Sequence, residues 1–145
     1  MPRPRVAAER TTMTPDLAQT TRNPETIHAM QHVEIVATDP HGLKQLLAQV
    51  FGWRFETHPM GEGEYHMFRT PDGNGGGILA PQGGQPVAAT PYVNVRDAEA
   101  TRAACEKAGA TIVVPITEVP GMGRFFWFQA AGAPPLACWE PARAP

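Results

Sequence analysis

His32 and Glu34 stand two positions apart in the run His32-Val33-Glu34-Ile35-Val36-Ala37-Thr38, a spacing that puts both side chains on one face of a β-strand. A carboxylate beside an imidazole favours the charged ring, so the pair reads as an acid/base unit and equally as part of a metal site. Three readings of His32 stand open: a metal ligand, a general base, or a hydrogen-bonded residue with no chemistry of its own. Tyr92 and Asn94 share a face in the same way in Tyr92-Val93-Asn94-Val95, and offer a phenol and an amide to a substrate carbonyl. The alternative is an idle polar wall.

Positioning such side chains takes elements of fixed geometry, and the chain supplies them twice. After the first β-like run, Asp39-Pro40 reads as N-cap and first helical position, and Leu43, Leu46, Leu47, Val50 and Phe51 form the stripe of an amphipathic helix that Gly52 stops. The same order recurs in the second half: Tyr92–Val95 is the β-like run, Asp97 the cap, Ala104, Cys105 and Ala108 the stripe, Gly109 the stop. Further strands are predicted at Trp53–Thr57, Glu64–Arg69 and Gly77–Ala80, then at Thr111–Ile116, Arg124–Gln129 and Leu136–Trp139, with Gly- and Pro-containing turns between them. Each half is β-α-β-β-β and too small to bury a core alone, so the two should pack as one α+β domain. Module one is assigned to residues 30–80, a linker to 81–89 and module two to 90–142. Residues 1–29, poor in aliphatic side chains, read as a flexible arm. Val33 and Ile35, with Val93 and Val95, should face the helices, leaving His32, Glu34, Tyr92 and Asn94 on a concave face.

Composition narrows the partners. Twelve Lys+Arg against 14 Asp+Glu give a net charge of −2 over 145 residues, with no basic run to meet a phosphate backbone, so nucleic acid is excluded. No apolar stretch is long enough to span a membrane, and Met1–Arg5 lacks the apolar core of a signal peptide. Two cysteines, Cys105 and Cys138, outside any Cys-x-x-Cys spacing, fit a reducing, cytoplasmic compartment. Cys105 falls in the helical stripe and Cys138 in the last strand, neither a setting for a catalytic thiol.

Other motifs read as structure first. Gly73-Asn74-Gly75-Gly76-Gly77 lacks the Gly-Lys-Ser/Thr of a phosphate loop and reads as a turn entering a strand that something approaches closely. Pro120-Gly121-Met122-Gly123 is a turn whose Met122 is a ligand-contact candidate. In Phe125-Phe126-Trp127-Phe128 alternate residues face opposite sides, with Phe126 and Phe128 assigned to the core. Trp53, Tyr65, Met67 and Trp139 read as packing residues with access to a pocket or interface. His58 and His66 flank a predicted loop at 59–64 and have no partner visible in sequence.

The ordered set resembles the glyoxalase/bleomycin-resistance, or vicinal oxygen chelate, superfamily. It comprises His32-Val33-Glu34-Ile35, Asp39-Pro40, Val50-Phe51-Gly52-Trp53, Gly75-Gly76-Gly77-Ile78, Tyr92–Asp97, Ala108-Gly109-Ala110, Val114-Pro115, Pro120–Phe125 and Cys138-Trp139-Glu140-Pro141. The resemblance implies two tandem βαβββ modules forming a cupped eight-stranded mixed sheet around a pocket, and a homodimer. It also implies, for metalloenzyme members, a divalent ion (Zn, Ni, Mn or Fe) held from the first and last strands of each module. Here His32 fills the first position, whereas Gly77 or Leu79, Thr90 and Ala137 stand at the others, short of the three protein ligands of an open zinc site. The expected function is therefore a glyoxalase-like protein that binds a partly apolar metabolite or drug. Its contacts would be Tyr92, Asn94, Met122 and Trp139, with no cofactor assigned beyond the ion the resemblance allows. The alternative is a lyase, isomerase or epimerase acting next to a carbonyl through His32 and Glu34.

Overall fold

A computed structural model describes residues 27–142. Strand β1 (Met30–Val36) leads into helix α1 (Pro40–Phe51), followed by β2 (Arg54–Met60), β3 (Gly63–Arg69) and β4 (Gly75–Leu79). The second half repeats this order with β5 (Ala88–Asn94), α2 (Ala98–Lys107), β6 (Thr111–Val119), β7 (Gly123–Gln129) and β8 (Leu136–Pro141). Both caps act as the sequence predicts. Asp39 accepts the Gly42 N–H and Asp97 the Ala100 N–H, each at 3.1 Å, satisfying donors that a helix start leaves bare. Gly52, at φ 71°, ends α1 in the left-handed conformation that glycine adopts without strain. Glu140 adds an anchor between helix and sheet, its Oε1 accepting from the Ala98 N–H at 2.8 Å and from Arg124 at 2.7 Å.

All eight strands join one open mixed sheet in the order β2-β3-β4-β1-β5-β8-β7-β6. The halves have the same internal order, with β1 parallel to β4 and β5 parallel to β8. They meet where β1 pairs antiparallel with β5, placing His32 beside Tyr92 and Glu34 beside Thr90. The seam thus brings the polar positions of both first strands together.

Both helices pack on one face. Leu47 of α1 covers Phe68 and Ile78, with Leu43, Ile35 and Phe55 around them. Ala98 of α2 packs with Val95, Phe126 and Cys138, with Cys105 of the same helix and Phe128 of β7 around them. Phe126 and Phe128 are core, as alternation predicts, which turns Phe125 and Trp127 to the helix-free face.

Several strands run longer than the side-chain pattern suggests. β5 begins at Ala88, inside the predicted linker, because its backbone pairs with Val36. β2 and β3 continue to Met60 and Gly63, so the predicted loop at 59–64 shrinks to a tight hairpin turn. Backbone pairing persists where apolar alternation has ended. The arm at 1–29 falls almost wholly outside the described residues, but the His28 N–H donates to the Asn94 carbonyl and Ala29 accepts from the Asn94 N–H. Among the described residues no helix is long and apolar enough to cross a membrane.

Candidate functional site

On the helix-free face three side chains from two strands of module one converge. Tyr65 of β3 reaches across β4, where Gly77 makes room: a Cβ at that position would stand 1.9 Å from the Tyr65 Cζ. The phenol donates to Glu34 Oε1 at 2.7 Å, and its oxygen lies 3.1 Å from His32 Nε2. That nitrogen is also 3.1 Å from Glu34 Oε1. With the phenol proton committed to Glu34, a proton on His32 Nε2 is shared between the carboxylate and the tyrosine oxygen. The His32 and Glu34 side chains are each 17% exposed, so the cluster is largely sheltered from solvent.

Module two supplies an aromatic wall. The Tyr92 ring stands edge-on to His32 with centroids 5.1 Å apart, and its oxygen accepts from the Trp127 indole at 3.0 Å. Phe125 and Trp127 meet the same ring edge-on. Trp139, opposite Phe125 in β8, alternates with the core residue Cys138 and so shares this face. Its indole N–H is buried and meets no acceptor among the described residues.

Burial, then the Glu34 charge, pushes the Tyr65 phenol well above its ordinary value near 10. The same causes in the same order raise Tyr92. Both phenols therefore keep their protons through neutral pH and serve as donors or polar walls, not as bases. Burial likewise pushes the Cys138 thiol up to about 12, which suits a core residue and not a nucleophile.

The structure places the sequence-level candidates unevenly. His32, Glu34 and Tyr92 come together at the seam. Asn94 is fully buried, and its amide donates to Gln31 Oε1 at 3.1 Å. Met122 sits in the turn before β7, its N–H donating to the Val119 carbonyl. Tyr65, read in sequence as packing, is the residue that completes the cluster. The signal for it was the glycine run, which marks a close approach without saying by what.

A four-ligand divalent site does not fit this face. Beside His32 and Glu34, the first and last strands present Gly77, Thr90 and Ala137, and the Tyr65 ring fills the space a ligand at position 77 would need.

Comparison with known proteins supports the architecture. No family model matches the chain, and no curated protein matches it by sequence. Solved structures do. Methylmalonyl-CoA epimerase from Mycobacterium tuberculosis aligns with a TM-score of 0.67 at 15% identity, over 81% of this chain and 91% of that one. A variant of glyoxalase I from Zea mays aligns with a TM-score of 0.61 at 18% identity, over 79% of this chain and 43% of that one. The chain has the vicinal oxygen chelate fold. Another structure with that likeness, named as an NAD-dependent benzaldehyde dehydrogenase from Legionella pneumophila, gives 0.60 at 14% identity, over 77% and 98%. Within the vicinal oxygen chelate fold of this chain, β1 and β5 carry His32 and Tyr92 at the centre of the sheet, and the cluster described above occupies the helix-free side.

Proposed function

We propose that the helix-free face binds a partly apolar small molecule carrying an oxygen acceptor, as a glyoxalase-like protein without the full metal-ligand set. The observation that carries this reading is the division of the face at the β1–β5 seam. On one side stand the imidazole, carboxylate and phenol of His32, Glu34 and Tyr65; on the other stand Tyr92, Phe125, Trp127 and Trp139. Apolar rings supply contact area, while a few convergent polar groups fix orientation. The buried Trp139 N–H supports an acceptor on the ligand, since such a donor is seldom left unmatched. Met122 would touch the ligand from the turn, whereas Asn94 would act through Gln31 and the sheet. The reading includes one domain at residues 30–142, a homodimer and a cytoplasmic setting, the assembly to be checked by sedimentation.

A second reading, a lyase, isomerase or epimerase working beside a carbonyl, is favoured by the His32–Glu34–Tyr65 geometry. His32 would move the proton, with Glu34 stabilising the charged ring and the Tyr65 donor holding Glu34 in place. Native mass spectrometry on untagged protein tests the binding reading: a retained organic molecule supports it, and loss of that molecule in Trp139→Phe or Tyr92→Phe maps it to this face. His32→Ala and Glu34→Ala then separate the two readings. Binding alone predicts modest changes in affinity, catalysis predicts loss of rate with the fold intact, and turnover retained in both variants would sink the second.

A further inference from the structure

His66 follows Tyr65 along β3 and therefore points to the opposite side of the sheet, where it is 2% exposed. It pairs there with two exposed side chains, Glu64 from the same strand and His41 from the first turn of α1. One ligand atom from each of the three lies within 4.8 Å of the others. His66 Nε2 is 3.7 Å from Glu64 Oε1, and the two imidazole rings are 5.7 Å apart at 62°. The other ring nitrogen, Nδ1, is hydrogen-bonded to Thr57 Oγ1 at 2.8 Å, and that oxygen accepts from Lys44 Nζ at 3.0 Å.

We propose that His41, Glu64 and His66 form a site for a borderline divalent cation of the zinc class, on the helix side of the sheet and separate from the His32 cluster. Two imidazoles and one carboxylate are the donors of open three-ligand zinc sites, whereas magnesium and calcium take oxygen ligands. In zinc sites the ligating imidazole usually has its other nitrogen held by an oxygen, which orients the ring and selects the tautomer. Thr57 stands in that position. When its oxygen takes the Nδ1 proton, Nε2 turns a lone pair toward Glu64 and His41. Burial, then the nearby Lys44 charge, favours the neutral ring that a metal requires. Zinc bonds of about 2.0–2.2 Å need the donors somewhat closer together than they stand. His41 and Glu64, both exposed, are free to swing in, while buried His66 is the fixed post. The bound ion would clamp the start of α1 onto β3, adding to the apolar contact of Leu47 with Phe68 and the ring contact of His41 with His66.

The test is a calorimetric titration of chelator-treated full-length protein with zinc chloride, run beside thermal unfolding at rising zinc. One ion per chain is expected, with a midpoint temperature that climbs with zinc and does not respond to magnesium. His41→Ala and Glu64→Gln, both at exposed positions that leave the core intact, should each weaken zinc binding about tenfold or more. His32→Ala should bind as the parent does. Absence of zinc binding, unchanged affinity in His41→Ala, or loss of binding in His32→Ala would each overturn the proposal. The last outcome would move the ion to the helix-free face.

Discussion

Tyr65 and His66 are neighbours in one strand and belong to different worlds. Tyr65 lies against Glu34 and His32 on the face without helices; His66 lies between β3 and α1, against Thr57, Glu64 and His41. The first cluster is knit by direct hydrogen bonds between its members, so its carboxylate and imidazole already have partners. In the second, His66 Nε2 and Glu64 stand beyond hydrogen-bond distance, and the firm contact runs outward to Thr57. A closed hydrogen-bonded group suits proton handling or ligand binding, whereas a looser set of donors around one buried ring suits an ion.

The comparison can be broken most severely at β4, which links the strands carrying both clusters. A Cβ at Gly76 would lie 2.0 Å from the Val33 carbonyl oxygen, and a backbone atom cannot swing aside. Gly76→Ala should cost about 3 kcal/mol in urea unfolding and disturb both clusters. Gly84→Ala, where a Cβ meets nothing within 4 Å, is the control.

Tyr65→Phe separates the faces. Removing a phenol donor from a sheltered carboxylate should cost about 2 kcal/mol by the same measurement, with zinc affinity unchanged. An equal loss of zinc affinity would show that the clusters are coupled through β3.

Alkaline titration comes next. Two phenols whose folded values lie above their ordinary one hold their protons longer when folded, so their contribution is fully present below pH 10 and is lost as pH rises beyond it. Unfolding free energy should fall above pH 10, less steeply in Tyr65→Phe, and a flat profile would contradict the burial of both rings. The smallest effect is expected for His41→Ala without metal. An exposed side chain removed from a helix surface should change stability by no more than about 0.5 kcal/mol. A larger loss would mean that His41 packs in a way that needs no ion.

Local patterns carried much of this in advance. Asp39-Pro40, Asp97, Gly52 and the strand alternation identify two βαβββ units, because caps, stops and period-2 faces depend on near neighbours. His32, Glu34 and Tyr92 were legible for the same reason, being set by alternation within β1 and β5. Strand lengths were less so, since β5 reaches back to Ala88 only through pairing with β1.

Tyr65 and Glu34 are far apart in the chain, and only the β3–β4–β1 register lays the phenol over Gly77 and onto the carboxylate. The full burial of Asn94 and its bond to Gln31 across the seam were not legible, because type and face say nothing of depth. His41 and His66 had no visible relation, because α1 reaches β3 only when the sheet has formed beneath it. The sequence by itself determined the elements and the facing of each residue within its own strand or helix, where steric and hydrogen-bond preferences act over a few positions. The tertiary structure alone decided which facing residues meet, because register and helix docking are set by the sum of many distant contacts.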